Sequence, residues 1–517
     1  MHGKRGAFAS WTALAVAVGG CAVGPDFKTP VAPVPEKWGA AGDPRLTTQA
    51  AADKLWWKTF NDPVLGRLVD LAYKQNLPLQ IAGLRIAEAR AQYGVATGRL
   101  FPQTQVAFAS VNAVGLTEQV ARYTGLDRNL FDYQAGFDAA WELDFWGKYR
   151  RGVEAEAASL LASVSDYGAA LVALAAEVAR TYVNIRTAET LIKLAEDNAR
   201  VQAEALAIAE ARFKAGATSE LDPTQASTLL DSTRATIPRL HIGLAQARNA
   251  LATLLAYPAG GVQVLLAGPK DIPKPPAKVA VGVPAEMLRR RPDIRSAELA
   301  AAAQCARIGV AKAGLYPSFS LFGTVGLRAV SSGTASHNLF STSSVFYSVG
   351  PSINWPFLNY GRLTNAVRVE DARFQELLLA YRDTVLKAAQ EVEDALAGFL
   401  DAQQALTFEQ NAATSAQRAV DLAMVQYREG AADYQRVLDA DRSLLQQQNN
   451  MAQTRSNVST SLIALYKALG GGWELAQGQP VVPVQTQDEM KARTNWGDIL
   501  STPRSPETAN TPPPGQQ

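Results

Sequence analysis

An enzyme that makes or breaks bonds near neutral pH usually draws on histidine, cysteine or paired carboxylates. This sequence is sparing with the first two: its 517 residues include three histidines and two cysteines. His241 falls in a helical stretch and His337 in a polar loop. Neither has a cysteine beside it, so no nucleophile–base pair or metal set emerges. Cys305 lies among alanines with helical patterning and reads as inert packing. The "GGG" at 470–472 lacks the lysine of a phosphate loop and reads as a helix stop. Glu177 and Glu391 stand 214 residues apart, each followed by valine. They read as acids in helix–helix contacts, with a pore-lining role as the other option. The inventory disfavours an enzyme.

Bulk composition adds exclusions. Lys+Arg 50 against Asp+Glu 48 leaves a net charge of +2, which gives no electrostatic argument for nucleic acid. Although 47% of residues are hydrophobic, no apolar run approaches the roughly 20 residues of a spanning helix. The first twenty residues read as a targeting segment. Lys4 and Arg5 precede the short apolar "WTALAVAV" (11–18), and "VGGC" (18–21) follows. That order resembles a bacterial lipoprotein signal, whose cleavage leaves Cys21 first and carrying N-palmitoyl and S-diacylglycerol lipid. Ala22 stands where an aspartate would imply retention in the inner membrane, so the resemblance implies the outer membrane.

What remains must be positional, and the chain repeats its positions. "FKAGATSELDP" (213–223) and "YREGAADYQRV" (427–437) each place an aromatic and a base before a glycine, and Gly216 and Gly430 lie 214 apart. "WELDFWGK" (141–148) aligns with "WPFLNYGR" (355–362), and Pro102 with Pro317. Landmarks in step over such a length mean a duplicated half.

Within each half the period of the pattern changes in the same order. A helix over ~64–98 or ~284–313 comes first. Alternating strands follow at ~103–115 and ~130–145, and at ~317–328 and ~344–357. Long polar tips, ~115–129 and ~328–343, close the two hairpins. Proline-free segments, ~148–213 and ~362–428, then carry apolar residues at intervals of seven. These are Leu171, Val178, Ile185 and Ile192 in one half and Val385, Val392, Phe399 and Leu406 in the other. Small residues three places on, such as Thr181, Ala188, Ala388 and Ala395, suit close supercoiling neighbours. Gly216 and Gly430 supply left-handed caps. Return helices occupy ~220–256 and ~434–469, with Pro238 expected to bend the first.

The division is therefore 1–20 signal, 21–62 N-terminal segment, 63–266 first repeat, 267–283 proline-rich connector, 284–469 second repeat, 470–500 C-terminal segment and 501–517 Pro/Ser/Thr-rich tail. The fold class is mainly α with a β-barrel portion.

Four amphipathic strands cannot close a barrel, and lipid tolerates no open sheet edge. The chain must either form a soluble sandwich or oligomerise, and three copies would close twelve strands. Trp141, Phe145, Trp355 and Phe357 suit an interfacial girdle. A non-porous helical scaffold lipoprotein is the competing class, and it has no use for such a face.

These features closely resemble the TolC-like outer-membrane factors of the NodT-type lipoprotein branch, over residues ~21–475. The specific stretches are "CAVGPDFKTP" (21–30), "LRRRPDIRSAE" (288–298), "GLYPSFSL" (314–321), "NYGR" (359–362) and "LDADR" (438–442). The resemblance implies a homotrimer with a twelve-stranded barrel continuous with a twelve-helix α-barrel. It implies a passive exit duct for small molecules, with protein secretion as the alternative cargo. The implied partners are a periplasmic adaptor and an inner-membrane RND-type pump, with outer-membrane lipid around the barrel. By the same resemblance Asp439 and Arg442 match the family's closing constriction. Gln435 falls where an apolar pore residue is common, and Arg436 where an acid often stands. Lys214, Gly216, Thr218, Arg428, Gly430 and Asp433 become the adaptor-contacting tips. Arg442, three residues from Asp439, is expected to offset repulsion among Asp439 carboxylates.

Overall fold

The computed structural model describes residues 22–31, 33–47, 55–268, 270–332, 335–336, 338–476 and 478–500. The chain separates into two compact units, and each draws on both halves of the duplication. One unit holds the residues up to Pro30, Ala87–Ala162 and Ala297–Tyr381.

Its centre is an antiparallel sheet of four main strands: β1 (Thr104–Gly115), β2 (Asn129–Leu143), β3 (Ser318–Ser332) and β4 (Val345–Asn354). They pair in chain order, β1 with β2, β2 with β3 and β3 with β4. Ala335–Ser336 adds a two-residue strand at the end of β3. Among the described residues nothing pairs with the outer edge of β1 or of β4. β3 runs to Ser332 rather than ~328, while β2 and β4 stop short of the expected 145 and 357. The first hairpin tip also holds a short helix, Glu118–Thr124, capped by the Thr117 hydroxyl, where the sequence suggested only loop.

The second unit, Val31–Ile86, Ser163–Ser296 and Arg382 onward, is helical. In each half the opening helix is two helices. α1 (Pro63–Gln75) stops at Asn76, and α2 (Leu77–Gly98) restarts under an Asn76 side chain that accepts from Leu79 N–H at 2.9 Å. In the second half Pro284–Arg290 stops at Arg291, which is extended because Pro292 follows, and α5 (Pro292–Ala313) begins there.

The long helices are α3 (Lys148–Lys214) and α6 (Arg362–Arg428), 67 residues each. At 1.5 Å per residue each extends about 100 Å. Gly147 and Gly361, both left-handed, precede them. The heptad positions Leu171, Val178, Ile185 and Ile192 on α3 and Val385, Val392 and Phe399 on α6 are buried, whereas Leu406 at the end of the second run is half-buried. α4 (Leu221–Leu254) runs unbroken through Pro238, and α7 (Tyr434–Ala468) is its counterpart. One expectation is corrected: α3 contains a stretch that passes for a membrane span by length and composition. Its alanines cause this, since residues chosen for close helix packing are also uniformly apolar.

The segment after residue 31 and the C-terminal region share the helical unit. Trp56 stacks on Tyr466 at 5.3 Å, and Gly39 N–H donates to Glu393 at 2.8 Å. Glu391 reaches off its own helix, pairing at 2.9 Å with the buried Arg291, the extended residue between two helices, rather than with a helix as expected. Glu177 does not: its partner is Arg180 on its own helix, at 2.8 Å.

Candidate functional site

Three places could carry function: the sheet faces, the chain leaving residue 21, and the two helical turns. The sheet comes first because its register sorts every side chain. Directly opposed residues share a face, and throughout this sheet odd numbers oppose odd numbers. The odd face reads Ala107, Ala109, Val111 and Ala113 on β1 and Phe131, Tyr133, Ala135, Phe137, Ala139 and Trp141 on β2. It continues with Phe319, Leu321, Gly323, Val325, Leu327 and Ala329 on β3 and Val345, Tyr347, Val349, Pro351 and Ile353 on β4. None is charged, and Phe137, Tyr347, Val349 and Ile353 are all at least 66% exposed.

The even face holds Asp132, Asp138, Glu142 and Arg328. Arg328 donates twice to Asp132 at 3.0 Å, and the Thr324 hydroxyl donates to Asp138 at 2.6 Å. An apolar face this large on an aqueous protein is unexplained; against hydrocarbon it is required. The sequence reading of both strand faces holds.

The two strand-end tryptophans are fixed in duplicate. Trp141 Nε1 donates to Leu100 O at 3.2 Å and Trp355 Nε1 to Leu315 O at 3.1 Å. Each indole thus ties a strand end to the turn that introduces its hairpin. Phe145 packs on Phe319 at 4.9 Å, and Phe357 lies near Trp355.

Cys21 lies outside the described residues, but its successor does not. Ala22 sits so close to Gly147 that a Cβ there would lie 2.9 Å from the Ala22 Cα. Val23 N–H donates to Trp146 O at 3.0 Å, and buried Arg151 grips Asp26 at 2.6 Å. The Cys305 thiol faces Pro25 O at 3.5 Å, and burial pushes its pKa up, as inert packing requires. The N-terminal chain is therefore anchored where β2 hands over to α3.

The two turns are built alike. Gly216 and Gly430 are left-handed, with φ of 72° and 76°. Gly216 N–H donates to Phe213 O and Ala217 N–H to Arg212 O, while Gly430 and Ala431 repeat the pattern on Tyr427 and Gln426. These are Schellman caps, which the paired glycines foretold. Lys214, Gly216, Arg428, Gly430 and Asp433 are exposed. Asp433 sits at the N-cap of α7 without a capping hydrogen bond. Thr218 is turned inward, its hydroxyl donating to Asp222.

Beneath the turns one apolar cluster draws on all four long helices: Ala205 and Ala209, Ala226 and Leu229, Ala423 and Tyr427, and Tyr434, Val437 and Leu438. The Arg212 guanidinium lies 4.7 Å over the Tyr427 ring and donates to the Tyr427 and Arg428 carbonyls. The Tyr427 hydroxyl donates to Asp222 Oδ2 at 3.0 Å. Burial first, and Asp222 second, push that phenol up to about 12. Both helical hairpins are thereby locked together.

The constriction candidates share one exposed stripe of α7. Asp439 accepts from Gln435 Nε2 at 3.0 Å, and Gln435 accepts from Gln225 of α4 at 3.3 Å. Arg442 is exposed on the same stripe. Arg436 and His241 are exposed, and His337 lies outside the described residues.

Sequence reading missed Asp441. It is 3% exposed, its Oδ2 has no hydrogen-bond partner among the described residues, and burial pushes its pKa up to about 6. The signal was present: Tyr434, Val437, Leu438, Asp441 and Leu444 recur at core spacing.

Comparison with known proteins agrees with this anatomy. The family model described as outer membrane efflux protein matches residues 68–256 and again 283–471. Each limit moves by 215 residues, from 68 to 283 and from 256 to 471. The chain is 31% identical over 462 residues to the cation efflux system protein CusC of Escherichia coli O6:H1, covering 89% of this chain and 98% of that protein. It is 33% identical over 473 residues to the solvent efflux pump outer membrane protein SrpC of Pseudomonas putida, covering 89% and 97%. The solved structure of the outer-membrane channel OprN superposes with a TM-score of 0.82 at 33% identity, covering 88% of this chain and all of that one. With both repeats matched and relatives aligned over nearly their full length, the chain belongs to the outer membrane efflux protein family.

Proposed function

We propose that three copies of this outer-membrane efflux channel close a twelve-stranded barrel continuous with a twelve-helix duct. A periplasmic adaptor docks on its tips, and an inner-membrane RND-type pump feeds it. The observation that carries the reading is the sheet: one face carries no charge and is apolar apart from Gln105, Asn129 and Ser331 near strand ends, and among the described residues both outer edges are unpaired. In lipid each unpaired backbone group costs several kcal/mol, so the edges must find partners, and sister copies supply them. Helices of about 100 Å extend the path through the periplasm.

Small toxic molecules are the proposed cargo, delivered passively. The relatives' names speak of cations and of solvents, which fits a duct that leaves selection to its pump. Lipid on Cys21 would enter the bilayer beside the strand-to-helix junction, because Ala22 and Val23 are held there.

The test is reconstitution of detergent-purified protein. Native mass spectrometry is expected to give a trimer carrying lipidated N termini, and planar bilayers to show stepwise conductance. A stable monomer without conductance sinks the proposal.

A further inference from the structure

The even face of the sheet carries a second pattern that charge sorting does not explain. It holds three phenylalanines, Phe108, Phe322 and Phe346, and three glycines, Gly136, Gly326 and Gly350. Every one of those phenylalanines stands directly opposite one of those glycines: Phe108 faces Gly136, Phe346 faces Gly326, and Phe322 faces Gly350. On the odd face Phe131, Phe137 and Phe319 face alanine, valine, isoleucine, leucine or serine, never glycine. The pairing therefore belongs to one side of the sheet.

Gly136 and Gly326 also oppose each other, so one transverse row reads Phe108, Gly136, Gly326, Phe346 across all four strands. The rings occupy the space the glycines vacate. Phe108 Cζ lies 2.9 Å from where a Cβ of residue 136 would stand, and Phe346 Cε1 2.9 Å from that of residue 326. Phe322 Cζ lies 3.6 Å from the corresponding point on Gly350. A phenyl ring laid over a bare glycine rests on the sheet instead of projecting from it, the arrangement known as aromatic rescue.

We infer that these rings, laid flat on their glycine seats, form an aromatic band that sets the bore of the barrel. The inference rests on the trimeric barrel proposed above, which makes the even face the lumen. On the odd face a projecting ring meets only hydrocarbon, so no seat is needed there. On the even face a projecting ring would stand in the passage, and three copies multiply each obstruction. The seats keep the rings down, while the row of Phe108, Gly136, Gly326 and Phe346, itself uncharged, lies between the Asp132–Arg328 pair and Asp138, which separates it from the Phe322–Gly350 seat. It discriminates by width rather than by charge.

The experiment places a reporter beyond the band as seen from outside the cell. Ser352 is exposed on the even face, opposite Ser320 and nearer the α6 end of β4 than any of the three rings. In a Cys305→Ala background, Ser352→Cys is labelled on whole cells with a small and a bulky methanethiosulfonate. Labelling is corrected with the same chain lacking the new cysteine. Phe108→Ala with Phe346→Ala is expected to speed bulky-reagent labelling several-fold. Phe108→Trp with Phe346→Trp is expected to slow it several-fold, and small-reagent labelling changes little in either. Native gels confirm assembly of each variant.

Equal bulky-reagent rates in all three assembled proteins overturn the band as the width-setting element. If neither reagent labels Ser352→Cys in any of them, the even face is not a watery lumen and the barrel reading itself fails.

Discussion

Tyr427 shows how much one hydroxyl can hold. Its bond to Asp222 joins α6 to the start of α4, and Arg212 clamps the same ring from α3. Tyr427→Phe removes the phenolic donor while keeping the ring, at about 1–3 kcal/mol for a bond to a charged group. The expected result is a raised single-channel conductance in planar bilayers. Asp439→Ala combined with Arg442→Ala is expected to raise conductance as well, and an unchanged value would remove those residues from the constriction.

Asp441 makes a different prediction, about pH. Its folded pKa, about 6, lies above the ordinary 3.8. Below the lower value the acid is protonated folded or unfolded, so burial costs nothing. As pH rises the unfolded chain ionises first, and the folded state loses stability until the penalty is complete above about 6. The full penalty is up to about 3 kcal/mol. Hydrogen-exchange protection factors in the first turns of α7, taken relative to the intrinsic exchange rate at each pH, should therefore be higher near pH 4 than near pH 7, and Asp441→Asn should abolish the difference. Tyr434, whose buried hydroxyl has no hydrogen-bond partner among the described residues, is a titratable neighbour whose pKa is raised by burial first and by this carboxylate second.

Elements were legible wherever a local rule decides them. Strand faces follow from alternation, and the turns follow from Gly216 and Gly430. The 67-residue helices follow from heptads uninterrupted by proline. What escaped depends on distant partners. The stop at Arg291 was written in the following proline, but its use was not: the guanidinium reaches Ala468 O at 2.7 Å, Asp293 at 2.7 Å and Glu391 at 2.9 Å. Glu177 and Glu391 occupy matching positions, yet only the second has a buried arginine within reach. Alternation likewise sorts charge but cannot show that Phe108 faces Gly136, because register is a property of two strands. Arg291→Gln removes the ion pairs and a cation from the C-terminal carbonyls of α7, and should cost about 3 kcal/mol. Urea unfolding should show it, with a smaller loss for Glu391→Gln, which leaves Asp293 in place.

For the whole molecule, the duplication sets what the three chains of the proposed trimer can and cannot share. Both repeats supply a tryptophan tie, a left-handed glycine before the long helix and a Schellman turn. The Gln435–Asp439 stripe belongs to the second repeat alone. The proposed trimer would therefore have six turns of two chemical kinds, with the proposed constriction residues all from one kind. Cysteine crosslinking at position 439 should join sister copies, whereas cysteine at position 225 should not, if only the second-repeat stripe lines the axis.

The bare outer rims of β1 and β4 bear on how the channel is made. A newly delivered chain carries two sticky borders and a greasy surface, which is the profile of a polypeptide that clumps. Closing the proposed barrel would need three such chains, so yield should climb more steeply than in proportion to supply. Halving synthesis is expected to reduce finished channels by more than half, measurable by comparing trimer and total antigen across an induction series. Tethering by an acyl tail would confine the search to two dimensions and shorten that exposed interval.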